Sequence, residues 1–151
     1  MKIDSCLLDT NILLRIARPS VPEYQIISTA LAKLATNGTS LHYTQQNIAE
    51  LWNVMTRPAE HNGFGLTPEE AEGEVRAIER IMTRLSESEA SYREWRRIIV
   101  EYGVIGARVH DARLVAAMRT HGVDHLLTFN VGDFKRYAGI TVIHPSSVAS
   151  F

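Results

Sequence analysis

Short apolar runs alternate with longer amphipathic segments along the whole chain. Four runs favour strands buried on both faces; they lie at 3–8, 40–43, 123–129 and 140–143. Between them, apolar residues recur every three or four positions, which indicates helices with one buried face. The predicted helices span 12–17, 23–35, 44–56, 67–85, 88–102 and 110–121, followed by a helical turn at 134–138. This alternation predicts an α/β fold in which helices cover both faces of a short central parallel sheet.

The helix at 67–85 has the clearest start. Thr67 can cap it, Pro68 suits the first helical position, and Glu70 completes a capping box. Its apolar stripe continues as far as Leu85, so we predict a single helix over this whole segment.

The length and composition predict one soluble domain. The chain has 151 residues, 45% of them hydrophobic, and we assign 1–151 to a single domain. The single cysteine, Cys6, excludes an internal disulfide and a cysteine-based zinc cluster, and favours a reducing compartment. No apolar run approaches the roughly 20 residues of a membrane helix, and Asp4 stands where a signal peptide needs an apolar core. We therefore expect a cytoplasmic protein that has no membrane partner.

The charge of the chain is nearly balanced, but its basic residues are biased. A net charge of −1 provides no general attraction to nucleic acid. Of the 16 lysines and arginines, 13 are arginine, the better bidentate ligand for phosphate. Arginine is also a common surface residue, so phosphate binding and a solvated surface both stay open. Arg15 and Arg18 follow Asp9 closely and are better placed to contact a substrate than the arginines of later helices.

Two aspartates lie where predicted strands end. Asp9 directly follows the first strand, and Asp133 lies in the loop after the third. Ligands of parallel sheets bind beyond the carboxyl ends of the strands, so both positions fit a site. Aspartate is also frequent in turns and at helix starts, and for either residue alone that explanation is simpler.

Asp111 and Glu50 add two further acids. Asp111 shares the apolar helix face with Leu114, Val115 and Met118, where a carboxylate is costly unless it is paired or binds a metal. A helix cap is the equal alternative for Asp111, and a solvated carboxylate is the simplest interpretation of Glu50 alone. Four acids on separate segments suit a hard cation such as magnesium, which prefers oxygen ligands. Such ions activate water and stabilise the leaving oxygen of a phosphodiester.

The other chemistry-bearing residues favour structural roles. Among the six histidines only His121 and His125 have the spacing of a helical zinc site, and they straddle Gly122 and a helix end, so we reject a histidine metal site. His110 stands beside Asp111 and could touch a substrate, although an ordinary position at a helix start is the simpler explanation. Trp52 and Trp95 both fall on apolar faces, so we predict that they belong to the core rather than stack on bases.

Four segments resemble, in their order and spacing, the motifs of PIN-domain nucleases. They are LLDTNILL at 7–14, NIAEL at 47–51, HDARLVAA at 110–117, and LLTFN at 126–130 followed by Asp133 and Phe134. The resemblance extends over nearly the whole chain. The compact length is similar to that of VapC, the toxin of bacterial and archaeal toxin–antitoxin pairs.

The resemblance implies a three-layer α/β/α PIN fold and RNA cleavage that depends on Mg²⁺ or Mn²⁺. It implies that the catalytic acids are Asp9, Glu50, Asp111 and Asp133, and that Asp9 and Asp111 hold the metal. It also implies a homodimer and inhibition by a small antitoxin protein. The supporting residues that it implies are Thr10, Thr128 and Asn130, and it leaves open whether Asn130 or Asp133 lies nearer the metal.

Two rival functions are weighed against this one. A phosphatase with Asp9 as nucleophile needs a second aspartate two positions later, where this chain has Asn11. A PIN-like module that only binds RNA or protein is the non-enzymatic alternative, and loss of one acid would favour it. All four acids are present, so the sequence favours the nuclease.

Overall fold

The computed structural model describes residues 2–148, within which five strands and seven helices lie. The strands are β1 (Ser5–Leu8), β2 (Ser40–Thr44), β3 (Thr83–Leu85), β4 (His125–Leu127) and β5 (Thr141–Ile143). The helices are α1 (Thr10–Ile16), α2 (Tyr24–Thr36), α3 (Gln45–Thr56), α4 (Pro68–Ile81), α5 (Glu89–Tyr102), α6 (Arg108–His121) and α7 (Pro145–Val148). Short 3₁₀ turns lie at Ala59–His61 and Val131–Asp133.

The strands form one parallel sheet in the order β3-β2-β1-β4-β5. β1 lies at its centre and pairs with β2 on one side and β4 on the other. After β1, the chain adds β2 and β3 on one side of it and later adds β4 and β5 on the other side. The strand order therefore reverses beside β1. Open parallel sheets bind ligands at the carboxyl ends of the strands next to such a reversal. In this fold that place is the crevice where β1 and β4 end.

Alternate residues of the central strands enter two separate cores. Cys6, Leu8 and Leu127 join the core formed with α1–α4 and α7, whereas Leu7 and Leu126 join the core formed with α5 and α6. Successive side chains of a strand point to opposite faces, so the sheet is covered on both sides. The prediction of a three-layer α/β/α fold with a central parallel sheet is confirmed.

The prediction of one helix over 67–85 is wrong in its last turn. The helix ends at Ile81, and Met82 has extended dihedral angles (φ −131°, ψ 154°). Thr83–Leu85 then pairs with β2 as the edge strand β3. Met82 packs into the core with α1–α4, but Leu85 packs into the other core. One helix face cannot reach both cores, so the backbone bonds to β2 and the divided packing override the helical spacing.

Several predicted boundaries also shift. The turn predicted at 134–138 starts earlier and ends earlier: a 3₁₀ turn lies at Val131–Asp133, and a hydrogen-bonded turn at 134–136 follows it, in which the Tyr137 N–H donates to Phe134 O at 3.2 Å. The last long helix starts at Arg108, two residues earlier than predicted. The caps predicted at Thr44 and Thr67 are confirmed, and Ser88 is a third: each side chain accepts a bond from the third backbone N–H of its helix.

Two features limit the chemistry of the chain. Cys6 is fully buried, and this burial raises the pKa of its thiol to about 12, so it is not a nucleophile at neutral pH. Within residues 2–148, no helix combines the length and the apolar character that spanning a membrane requires.

Candidate active site

The crevice beyond β1 and β4 contains the first acidic residue. Asp9 follows β1 directly, and its backbone N–H donates to Leu127 O at 3.0 Å, which ties it to the end of β4. Asp9 also caps α1, because its Oδ1 accepts from the backbone N–H of Thr10 at 2.8 Å. The strand end and the helix start therefore both determine the position of this carboxylate.

Thr128 holds the other oxygen of Asp9. Its hydroxyl donates to Asp9 Oδ2 at 2.8 Å and accepts from the backbone N–H of Asn130 at 3.0 Å. Asn11 Nδ2 donates to the same hydroxyl at 3.2 Å and lies 3.4 Å from Asp9 Oδ2. Asn11 Oδ1 accepts from the backbone N–H of Phe129 at 3.3 Å. These bonds join α1 to the segment after β4 and set the orientation of the Asp9 carboxylate.

Asp9 lies within electrostatic reach of two other acids. Burial raises the pKa of the Asp9 carboxyl above its usual range, although the hydrogen bonds from Thr128 and Thr10 act in the opposite direction. The negative charges of Asp111 and Glu50 raise it further. The fold thus brings together acids that lie about 40 and 100 positions apart in the sequence.

Glu50 is connected to Asp9 through neighbouring polar side chains. Thr10 Oγ1 lies 3.4 Å from Glu50 Oε1 and accepts from Asn47 Nδ2 at 3.0 Å. Asn47 is fully buried, and its Oδ1 accepts from the backbone N–H and the hydroxyl of Thr44 at 2.8 and 2.9 Å. The capping box that starts α3 therefore also positions Thr10 beside Glu50.

Asp111 and Asp133 share one arginine. Arg108 Nη1 lies 2.8 Å from Asp133 Oδ2 and 3.2 Å from Asp111 Oδ2. α6 is capped at Ala107, so the alternative that Asp111 caps this helix is wrong. Burial raises the pKa of the Asp111 carboxyl and the charge of Asp133 adds to this, while Arg108 opposes both. Four carboxylates and one guanidinium leave this cluster strongly negative.

The donors of the cluster fit a hard divalent cation. Carboxylate oxygens are the ligands that magnesium prefers, and one or two of them usually suffice together with substrate phosphates and water. Within residues 2–148, no three His, Cys, Asp or Glu side chains are arranged to ligate a single ion together. Binding of a metal by Asp9 and Asp111 therefore stays a prediction.

Residues 6–140 match the family profile described as PIN domain. This match spans every acidic residue of the cluster. The chain belongs to the PIN-domain family. No curated protein sequence matches this PIN domain significantly.

Solved structures similar to this PIN domain come from toxin–antitoxin systems. VapBC2 from Rickettsia felis, bound to a promoter DNA fragment, has a TM-score of 0.69 at 17% identity, covering 93% of this chain and 98% of that one. DNA-bound VapBC from Salmonella typhimurium has a TM-score of 0.68 at 16% identity, with the same coverages. VapC20 from Mycobacterium tuberculosis, a toxin that cleaves the sarcin-ricin loop, has a TM-score of 0.62 at 14% identity, covering 89% and 96%. At these identities the likeness establishes the fold.

Contacts in this PIN domain join most of the predicted acidic and supporting residues to one another. Asp9, Thr10, Glu50, Asp111 and Thr128 are linked by hydrogen bonds or by charge, and Asp133 joins through Arg108. Asn130 contributes its backbone N–H, and its side chain is exposed.

The two predicted substrate arginines both contact aromatic rings. The guanidinium of Arg15 lies 4.7 Å from the ring centroid of Phe129 and donates to Asn11 O at 2.9 Å. That of Arg18 lies 4.6 Å from the ring of Phe64, and its side chain is exposed. Arg15 is therefore the nearer of the two to Asp9, through Asn11, while substrate binding by either arginine stays a prediction.

Sequence reasoning missed three residues of this site. Asn11 stands out in the sequence only within the first motif and as a departure from a phosphatase pattern, and Asn47 only as part of a motif. Arg108 lay outside the predicted helix. Thr44-x-x-Asn47 has the spacing of a capping box, and this signal could have indicated a buried Asn47. No local pattern shows that Arg108 bridges two aspartates, because Asp133 reaches it only through the fold.

Metal binding should stabilise the folded chain. A cation at Asp9 and Asp111 relieves their repulsion and binds only the folded state, so Mn²⁺ at about 100 times its Kd should raise the Tm by about 5–10 °C. Asp9→Asn should remove most of this gain. Differential scanning calorimetry with and without chelator measures both, and Asp4→Asn, an exposed acid at the other end of β1, is the matched control. Equal gains in wild type and Asp9→Asn would place the ion elsewhere.

Proposed function

We propose that this PIN domain is a metal-dependent endoribonuclease, the toxin component of a type II toxin–antitoxin system. It cleaves RNA phosphodiester bonds in the cytoplasm and is neutralised by a small antitoxin. The observation that carries this proposal is the position of Asp9, at the reversal of the strand order, with a pKa raised by burial and by Asp111 and Glu50. A buried cluster of like charges at a ligand-binding edge is typical of a functional site.

Asp9 and Asp111 are the proposed ligands of Mg²⁺ or Mn²⁺. When bound there, the ion supplies positive charge that stabilises the phosphoryl oxygens of the substrate. Thr128 and the backbone N–H of Thr10 keep the Asp9 oxygens oriented, so little reorganisation is needed on binding. Carboxylates without a cation would repel the phosphate, which is why the acids alone do not form an RNA site.

Two residues at the rim have proposed roles of their own. Glu50 is exposed and lies beside Thr10, so its carboxylate can accept the proton of the attacking water. Arg108 holds Asp111 and Asp133 and has an exposed guanidinium, with donors left over for a substrate phosphate. Asp133 therefore acts indirectly. It pairs with Arg108, and this pairing positions the Arg108 guanidinium against Asp111.

Several similar structures support an antitoxin partner. They are VapBC assemblies and a toxin–antitoxin complex from Klebsiella pneumoniae. An arginine of a partner protein could pair with the exposed acids of the cluster in the way that Arg108 already does. We further expect this chain to form a homodimer, as the family resemblance implies.

Metal-dependent cleavage of RNA by the purified chain tests the proposal. Wild-type protein with Mg²⁺ or Mn²⁺ should cut RNA within the strand, and excess chelator should stop the reaction. Binding of RNA without cleavage in either metal would instead support the binding-only module. Hydrolysis of a small phosphomonoester would support the phosphatase. The position two residues after Asp9, where a phosphatase needs an acid, holds Asn11, whose side chain is hydrogen-bonded to Thr128 and to the backbone of Phe129.

A further inference from the structure

Two cavities join beside the acidic cluster. The first, here called the aromatic cavity, has a volume of about 270 Å³ and is lined mainly by α5 and the start of α6. The second, the amide cavity, has about 300 Å³ and is lined by Gln45, Gln46 and Glu50 of α3. His110 and Arg113 line both cavities. Because Glu50 belongs to the acidic cluster and His110 precedes Asp111, the two cavities lead away from the proposed cleavage site.

The aromatic cavity offers ring surfaces to a ligand. Tyr92 is 49% exposed, whereas Trp95 is partly buried and packs against the core, as predicted, and also lines this cavity. The Trp95 Nε1 donates to Val109 O at 2.7 Å, which directs the polar edge inward. The two ring centroids are 6.4 Å apart at an angle of 50°, so the rings do not stack on each other. Such rings are available to a planar ligand.

The charge balance of the aromatic cavity favours a neutral ligand. Arg113 Nε and Nη2 donate to the two carboxylate oxygens of Glu87 at 2.7 and 2.9 Å. This bidentate pair cancels the charge of the one arginine and the one acid that line the cavity. Arg113 is therefore not free to bind a phosphate, and Arg96, which does not line the cavity, places its guanidinium 5.8 Å from the Tyr92 ring centroid. A nucleobase is planar and uncharged, and it stacks on aromatic side chains.

The amide cavity contains an acceptor without a donor. Gln46 is 8% exposed, and its Nε2 donates to the backbone oxygen of His110 at 2.9 Å. A carbonyl oxygen only accepts, so this bond determines which end of the amide faces His110. Gln46 Oε1 is buried and has no hydrogen-bond partner among residues 2–148. The exposed side chains of His110 and Glu50 can move aside to admit an N–H donor, such as an amino group of a base.

We propose that these two cavities bind unpaired bases of single-stranded RNA next to the phosphate at the Asp9–Asp111 cluster. One base stacks on Tyr92 and Trp95, and another donates to Gln46 Oε1. Bases in a duplex are already stacked and paired, so only a single strand or a loop can fill these cavities. This inference rests on the proposed ribonuclease function and assigns the residues of this chain that hold the bases next to the phosphate.

Fluorescence of Trp95 tests the stacking directly. In a Trp52→Phe background Trp95 is the only tryptophan, and the probe is single-stranded tetra-adenylate in excess chelator, so that cleavage plays no part. Tetra-adenylate should quench Trp95, whereas an abasic ribose-phosphate tetramer should not. Tyr92→Ala should weaken binding by about 5- to 150-fold, and Tyr92→Phe, which keeps the ring, should restore it. Tyr24→Ala, on α2, is the matched control and should change nothing.

Gln46→Leu tests the second cavity, because it removes the acceptor at similar volume. It should weaken the binding of tetra-adenylate more than the binding of an oligomer of unsubstituted purine riboside, which lacks the amino group. Circular dichroism verifies that each variant is folded. Equal binding of tetra-adenylate and the abasic tetramer would overturn the proposal, as would unchanged binding in Tyr92→Ala.

Two further results separate this inference from its alternatives. If tetra-adenylate has no effect and Tyr92→Ala turns a dimer into a monomer by light scattering, the surface joins two copies of the chain and the proposal is wrong. If base binding is found but wild type with Mn²⁺ cuts no RNA, the proposed ribonuclease function fails while the base site stands. If wild type cuts RNA but binds tetra-adenylate and the abasic tetramer equally, the proposed ribonuclease function stands and the base site fails.

Discussion

Asp9→Asn should lower the rate of RNA cleavage by about 1,000-fold in saturating Mn²⁺. The substitution keeps the shape of the side chain but removes a charged metal ligand, which is worth several kcal/mol of charge stabilisation in the transition state. Asp111→Asn should have an effect of the same order. Initial rates on a fluorophore-labelled RNA, measured at several metal concentrations, give the size of each loss.

Asp4→Asn is the matched control for these variants. Asp4 precedes β1 at the opposite edge of the sheet and pairs only loosely with Lys2, at 3.5 Å with both side chains over 80% exposed. Its replacement should leave the rate within about twofold of wild type. Undiminished cleavage by a folded Asp9→Asn protein would overturn the proposed mechanism, whatever the behaviour of Asp111→Asn.

Expression of this chain alone should arrest bacterial growth. A nuclease that cuts cellular RNA damages translation, and no inhibitor is present when the chain is expressed without its partner. Asp9→Ala or Asp111→Ala should restore growth, since each removes a proposed metal ligand. Induced cultures that are followed by optical density and colony counts measure the arrest, and immunoblots show that each variant accumulates.

The same cultures distinguish a toxin nuclease from a binding module. A module that acts only through its surface should stay toxic after Asp9→Ala, because Asp9 is largely enclosed and its loss leaves the exterior unchanged. Co-expression of the cognate antitoxin that the proposal implies should relieve the arrest of wild type. Arrest that persists in both Asp9→Ala and Asp111→Ala would contradict the nuclease.

Burial of the Asp9 carboxylate should make the stability of the folded chain depend on pH. Folding raises the pKa of Asp9, so the folded chain holds that proton more tightly than the unfolded chain. The resulting stability is present below the unfolded pKa and is lost as pH rises through the folded pKa. We therefore expect Mn²⁺ to raise the Tm more at a pH above the folded pKa of Asp9 than below it, because a cation binds the charged carboxylate of the folded chain.

Local patterns predicted most of the helices because their signals are short-range. The bonds from Thr44 to Asn47 and from Ser88 to Ser91 connect residues three positions apart, and they form wherever these residues start a helix. The edge strand β3 could not be predicted in this way. Its three residues depend on pairing with β2, about 40 positions earlier, and on the division of Met82 and Leu85 between two cores.

The acids themselves could be identified from the sequence, through their place after predicted strands and their resemblance to the PIN-domain motifs. Their environment could not. Arg108 meets Asp133 across 25 positions, and Thr128 meets Asp9 across 119. Trp95 packs against the core as its helical spacing predicts, yet it also lines a cavity, because the fold brings α6 beside α5.

By itself the sequence determined which residues can carry chemistry in this PIN domain, and which segments are helices or central strands. These properties depend on side-chain type and on contacts within about four positions. Only the tertiary structure decided the raised pKa of Asp9, the bridge through Arg108 and the two cavities that His110 and Arg113 both line. Burial, Coulomb interaction and enclosed volume depend on distances in space, and the order of residues along a chain does not specify them without the fold.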